Sequence, residues 1–329
     1  MMQPLFSQKN VKSFLVVSYN VENLFDTVNS PLFEDDEYTP PGSKEWTWER
    51  YTKKLEDLSR VILSLPEKEL PALIGLAEIE NRKVLEDLVQ VRGLRKGEYE
   101  IVHEEGQDPR GIECALLYRP DLFKYKSHKY IPVSDPVDPD YRYRGILYVQ
   151  GKGPEGTDLH IFVNHWKSRS GDARETERQR MFSAITLRKQ LDMLMAGDAD
   201  VKVILMGDFN DEPTNRSIIN GLSALNKRRN IQMGDYYNLF YDMHNMEGRG
   251  TYNYRGTWNM LDQVIISYSL LNQERELTTG YESGRILKEE WMLYESEKYG
   301  EKLPSSTYSG DEYFGGPSDH LPVYVNFTW

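Results

Sequence analysis

Val203-Ile204-Leu205-Met206-Gly207-Asp208-Phe209-Asn210 is the stretch on which the fold turns. Its first four residues are apolar without a break, which suits a strand buried on both faces rather than one with a wet side. The run then stops at a glycine, a carboxylate and an amide. Three other runs have the same form. Leu15-Val16-Val17-Ser18-Tyr19 leads into Asn20-Val21-Glu22, Leu73-Ile74-Gly75-Leu76-Ala77 into Glu78, and Ile161-Phe162-Val163 into Asn164-His165. Sites in α/β sheets gather at the carboxyl ends of strands, so four such strands sharing a sheet would bring these polar groups to one rim.

Around them the chain alternates strand and helix signals. Residues 13–19, 70–77, 112–118, 159–164, 201–206, 263–267 and 322–327 read as strands. Trp48, Tyr51, Leu55, Leu58, Ile62 and Leu65 fall on one helical face, and Pro66 stops the run. Asn81 can cap a short helix through Val84, Leu85 and Leu88, with Gly93 behind it. Met181, Ala184, Ile185, Leu191 and Met195 mark a longer helix that ends at Gly197. No linker-like composition interrupts the pattern, so residues 1–329 read as one α/β domain. Segments 27–44, 127–144 and 282–316 read as long loops, where function often sits.

Composition excludes several classes. Hydrophobic residues are 39% and charged residues 28%, with 16 prolines, which is neither a disordered nor a collagen-like chain. No apolar run approaches a membrane span. The net charge of -12 argues against nucleic-acid binding through bulk charge, but not against a local basic groove or positive charge supplied by metal ions. The main basic island is 165–190, where Lys167, Arg169, Arg174, Arg178, Arg180, Arg188 and Lys189 face only Asp172, Glu175 and Glu177. One cysteine, Cys114, excludes an internal disulfide. Residues 1–10 do not read as a signal peptide, so the sequence as given reads as cytoplasmic; a trimmed secreted or periplasmic chain would look the same. Nothing points to a protein partner.

Taken singly, Asn20 and Asn164 read as turn residues, His165 as a structural histidine, and Ser318-Asp319-His320 as a turn into a strand. Together they read differently. Clustered carboxylates are costly unless a cation or an imidazolium neutralises them. Hard oxygen donors without cysteine suit Mg²⁺ or Mn²⁺, with Ca²⁺ also compatible, better than structural zinc. Histidines beside them suit proton transfer and anion stabilisation.

The order of these pieces resembles the endonuclease/exonuclease/phosphatase superfamily. The matching residues are Ser18-Tyr19-Asn20-Val21-Glu22-Asn23, Leu76-Ala77-Glu78, Asn164-His165, Gly207-Asp208-Phe209-Asn210, Leu261-Asp262-Gln263-Val264-Ile265 and Ser318-Asp319-His320. The resemblance implies a four-layered α/β sandwich, two mixed β-sheets face to face with helices outside. It implies a metal-dependent phosphoesterase, most closely a nuclease-type phosphodiesterase that directs water onto phosphorus. Glu78 matches the principal metal glutamate, Asn20 and Glu22 the supporting first motif, and Asp319 a second metal-side carboxylate. Asp208 and Asn210 match the pair that positions water and holds phosphate. His320 matches the phosphate-contacting histidine, Asp262 the aspartate that orients it, and His165 a histidine at the phosphate or leaving group.

Two departures shape the expectation. Many nuclease members place a phosphate-contacting tyrosine in the third region, where this chain has Asp108-Pro109-Arg110-Gly111-Ile112-Glu113. Arg110 is the candidate substitute there, and Glu113 a candidate partner for a histidine. After His165 come Trp166-Lys167-Ser168-Arg169-Ser170, where Lys167 and Arg169 are candidate grips on a phosphate, as in similar bacterial nuclease-like members. The expected partner is a phosphate-ester substrate, with nucleic acid one option. The alternatives are a phosphomonoesterase or phospholipid-type phosphodiesterase, and a silent binding member of the fold.

Overall fold

The computed structural model describes residues 12–66, 69–171, 173–225, 228, 230–272 and 276–329. The start of the chain and Asp172 of the basic island lie outside the described residues. The first sheet takes β1 (Ser13–Leu24), β2 (Leu73–Ile79), β3 (Glu100–His103) and β4 (Glu113–Tyr118), together with the strands Arg285–Ile286 and Val323–Thr328. The second takes β5 (Lys124–Ile131), β6 (Ile146–Lys152), β7 (Asp158–His165) and β8 (Val203–Asp208), together with Ala224–Leu225, Tyr236–Asn238 and Asp262–Ser267. Each sheet is mixed and built alike. A parallel pair, β1 with β2 or β7 with β8, lies inside antiparallel neighbours.

Alternation along each strand explains the unbroken apolar runs. Phe14 and Val16 of β1 pack between the sheets, while Leu15, Val17 and Tyr19 pack beneath helices α1 (Trp48–Leu63) and α2 (Arg82–Gln90). In β8, Ile204 and Met206 fill the space between the sheets, and Val203 and Leu205 face α3 (Ala173–Gly197). Both faces of each central strand are therefore dry, and the result is a four-layered α/β sandwich. The helix ends follow their caps: Thr47 accepts from Arg50 N and Asn81 from Val84 N. Trp48, expected on the buried face of α1, is instead exposed.

Three readings change. The four motif-bearing strands do not share a sheet; β1 and β2 lie in one, β7 and β8 in the other. Segment 127–144 is not all loop, since β5 occupies its start and pairs only with β6. Its sequence, Lys-Tyr-Lys-Ser-His-Lys-Tyr-Ile, has the charged, mostly exposed character of an edge strand, so no apolar alternation marks it. Segment 282–316 contains the Arg285–Ile286 strand and two hairpins, Leu293–Ser296 with Glu301–Pro304 and Tyr308–Ser309 with Glu312–Tyr313. Among the described residues no helix is long and apolar enough to cross a membrane.

Candidate active site

The site is an extension of the core between the sheets. Asn20, His165, Asp208 and Asp262 lie on the same alternation as Val16, Val163, Met206 and Val264, all of which pack between the sheets. Where the apolar filling ends, the same faces carry polar groups. Glu78 is out of step, because it shares the alternation of Ile74 and Leu76, which face the helices. A break in the β2–β4 pairing between Leu76 and Ile79, with Glu78 at φ +67°, re-aims it into the cleft. Glu22 is also left-handed, at φ +50°. Such backbone costs about 1–3 kcal/mol per residue and persists only where the surroundings hold it. Gly207 is required, since a Cβ there would collide with the Asn164 carbonyl of the neighbouring strand.

Asp208 is the hub. Its Oδ1 accepts from the Asn210 backbone N–H at 2.8 Å, and its Oδ2 from Asn20 Nδ2 at 3.0 Å and Asn210 Nδ2 at 3.1 Å. Register puts His165 and Asp262 directly beside it on the flanking strands. Burial pushes its carboxyl up to about 6, with the His320 charge opposing and the Asp262 charge adding to the rise. His320 Nδ1 donates to Asp262 Oδ2 at 2.7 Å, and its Nε2 stands 3.9 Å from Asp208 Oδ2. Burial alone would hold this imidazole neutral. The charge and hydrogen bond of Asp262, with Asp208 and Asp319, outweigh burial and raise it well above the usual histidine range. Ser318 Oγ accepts from His320 N and donates to the Asn20 carbonyl, tying this turn to β1.

His165 goes the other way. Burial and the charges of Arg144 and Arg110 push it well below its ordinary value. Arg144 Nη1 donates to His165 Nε2 at 2.8 Å, which places the proton of the neutral ring on Nδ1. Glu78 Oε1 is 3.5 Å from the same Nε2, and Glu78 is held by Asn20 Nδ2 and by the Asn23 N–H. Glu22 faces away from the pocket. Its carboxylate accepts from the backbone N–H groups of Thr307, Tyr308 and Asp319 at 2.7, 3.1 and 3.0 Å, so it fastens the Asp319 turn and the start of the Tyr308–Ser309 strand to β1.

These groups floor and wall a pocket of about 550 Å³ that exposes Glu78, Arg110, Arg144, His165, Arg169, Asp208, Asn210, Asp319 and His320. Asn20 and Asp262 stand behind it as supports. Two readings need correction, Arg169 as a phosphate grip and Glu113 as the partner of a histidine. Arg169 reaches the pocket wall, but its guanidinium is used up on the Asn210 carbonyl, Asn259, Asn215 and Asp211, so it braces the loop after β8. Lys167 lies outside the pocket, in an adjoining groove, with its ammonium 5.6 Å from the Tyr141 ring. Glu113 meets no histidine; it accepts from Asp108 N and Tyr130 Oη, and burial pushes it up to about 8. Arg110 sits where pocket and groove meet.

The family profile described as Endonuclease/Exonuclease/phosphatase family matches residues 15–328. The chain belongs to the endonuclease/exonuclease/phosphatase family. Among curated proteins none matches. Solved structures similar to this member include an endonuclease/exonuclease/phosphatase family protein of Bacteroides thetaiotaomicron, with 18% identity and a TM-score of 0.59 over 97% of this chain and 98% of that one. A mannosyl-6-phosphatase of the same organism has 18% identity and a TM-score of 0.58, over 96% and 100%. D. rerio TDP2, complexed with a single-strand DNA product, has 15% identity and a TM-score of 0.57, over 96% and 98%. At these identities the likeness is one of fold.

Two residues of this family member escaped the sequence reading. Arg144 has a largely covered side chain, with Nε on Asp108 at 2.8 Å and Nη1 on His165 and the Trp166 carbonyl, which leaves Nη2 without a protein partner among the described residues. No sequence signal distinguished it from other loop arginines. Lys54 had a signal: it falls on the apolar face of α1, between Tyr51 and Leu58. Its buried ammonium donates to the Glu22 and Pro317 carbonyls and to Thr307 Oγ1. Burial lowers its pKa against the charges of Glu22 and Asp319.

Among the described residues no group of three or more His, Cys, Asp or Glu forms a ready metal site. The donors present still suit a hard ion. Asp319 is pushed up to about 8 by burial and by the charges of Glu22 and Glu78, so this end of the pocket is short of positive charge. Ions such as Mg²⁺ use one or two carboxylates and complete their shell with water and phosphate oxygens.

Proposed function

We propose that this chain is a divalent-metal-dependent phosphoesterase of nuclease type, hydrolysing a phosphodiester by in-line attack of water. The observation that carries the reading is the His320–Asp262 pair set against Asp208 at the mouth of a core built from both sheets. Asp208, with a pKa near 6 and three donors fixing its plane, is suited to hold the attacking water and take its proton. His320, charged and oriented by Asp262, presents Nε2–H to a phosphate oxygen and opposes the charge that builds on it. Arg144, through Nη2, is the second fixed cation for that phosphate, and its bond to His165 keeps that ring neutral. Asn20 holds Asp208 and Glu78 in register. Glu78 and Asp319 would hold the ion, Mg²⁺ or Mn²⁺, with Glu22 fixing the Asp319 backbone. Bound there, the ion supplies Lewis-acid polarisation of the phosphoryl oxygen.

The test is hydrolysis of bis(p-nitrophenyl) phosphate and p-nitrophenyl phosphate with Mg²⁺ or Mn²⁺, by wild type and His320→Ala. Diester turnover lost in the variant and in EDTA is the expected result. Turnover confined to the monoester would move the reading to a phosphomonoesterase, and no turnover of any phosphate ester would leave a binding member of the fold.

A further inference from the structure

A second groove, of about 570 Å³, runs on from the catalytic pocket and shares Arg110, Arg144 and their neighbouring serines with it. Its charge is opposite to that of the chain. Four cations line it, Arg110, Arg142, Arg144 and Lys167, against the carboxylates Asp108 and Asp140. Asp108 is already spent, since Arg144 bonds it at 2.8 Å and Arg110 lies 3.5 Å away. Arg142 and Lys167 have no carboxylate partner among the described residues. Both stand beside the pocket on a chain with a net charge of -12.

The groove wall is also braced. The Tyr141 ring lies beneath the Lys167 ammonium and packs edge-on against Tyr143 at 4.6 Å. Tyr143 is in turn anchored by its hydroxyl to buried Asp135 at 3.0 Å. The Lys167 side of the groove is therefore held in place before a ligand arrives.

Resting on the phosphodiesterase reading above, we propose that this groove is a subsite for a second phosphate of the substrate, gripped by Arg142 and Lys167 beside Arg110. Its chemistry asks for an anion joined to the scissile phosphate by a short spacer. The source is the next phosphate of a short nucleotide strand or the second phosphate of a small bisphosphorylated molecule. Arg142 carries the test, because it is exposed and unpaired, and its removal takes no contact from the core.

The experiment compares kcat/KM for the dinucleotides TpT and pTpT, identical but for one phosphate. Wild type should prefer pTpT by about tenfold or more, with the difference in KM. Arg142→Ala should shrink that ratio at least fivefold, and Arg142→Lys should restore most of it. Fructose 1,6-bisphosphate and fructose 6-phosphate, added as inhibitors of TpT hydrolysis, separate the sources. Stronger inhibition by the bisphosphate, erased in Arg142→Ala, assigns the groove to a small bisphosphorylated molecule; equal inhibition assigns it to a nucleotide strand. A pTpT/TpT ratio near one in wild type, or one unchanged in Arg142→Ala, would overturn the subsite while leaving the phosphodiesterase reading intact. Failure of wild type to hydrolyse either dinucleotide or bis(p-nitrophenyl) phosphate would overturn that reading, and the subsite with it.

Discussion

At one end of the candidate pocket stand Glu78 and Asp319, with Glu22 and the buried Lys54 behind them. At the other stand Asp208 and Asp262 with His320, His165 and Arg144. The second end balances itself: Asp262 holds a charged His320 at 2.7 Å, and Arg144 pairs with Asp108 at 2.8 Å. The first end does not, because the Lys54 ammonium is turned to carbonyls and a hydroxyl, and Asp319 is pushed up to about 8. Protein cations thus face the carboxylates of the second end. Under the proposed function, the carboxylate end is where an external cation would sit.

The largest effect should come where the two ends meet. Asp208→Ala should lower single-turnover hydrolysis by about 10³ or more, the size of losing one preorganised electrostatic group, with the circular dichroism spectrum unchanged. A rate within threefold of wild type would remove Asp208 from the chemistry. At the self-balanced end, Asp262→Asn and His320→Ala should each cost on the order of 10²-fold, and the double variant little more than the worse single, because paired residues act as a unit. Additive losses in kcat/KM would dissolve the pair.

The carboxylate end is tested by ion binding. Saturating Mg²⁺ or Mn²⁺ should raise the melting temperature, by about 2.7 kcal/mol of added stability at one hundred times Kd. Glu78→Gln should weaken the shift and Asp262→Asn should keep it. EDTA should abolish turnover without unfolding the chain, since the three cores do not depend on the ion. Equal shifts in wild type and Glu78→Gln would erase the contrast between the two ends.

The smallest effect is expected away from both. Glu113 on β4 is buried behind Asp108, and burial lifts it from 4.5 to about 8. Between those values the folded chain holds a proton that the unfolded chain releases, so this group's stabilising contribution is full at low pH and is lost as pH rises to about 8. Glu113→Gln should therefore gain stability over wild type on going from pH 5 to pH 8, by roughly 2–4 °C for each kcal/mol. A difference in melting temperature that does not vary with pH would show that burial does not perturb this carboxyl.

Asn20, Glu78, His165 and Asp208 were legible because each follows an apolar run, whereas Asp262, Asp319 and His320 precede one and were legible through the order of the motifs. Arg144 was not legible. It sits in a loop whose neighbours give no period, and its partner Asp108 is 36 residues away in the chain. Arg169 misled for a related reason. A basic residue beside a candidate site histidine has the right charge for a phosphate, yet its donors are consumed by Asn210, Asn215 and Asn259, which arrive from other segments.

By itself the order of residues determined the buried strands, the capped helix at Asn81, and the polar groups at the strand ends, because alternation and capping are local in the chain. Tertiary structure alone decided that those strands divide between two sheets, and that Glu78 turns inward at a break in pairing. It also decided which cations are spent on the protein and which stay free. Each of those outcomes depends on what packs against a residue from far along the chain, and no local pattern carries that information.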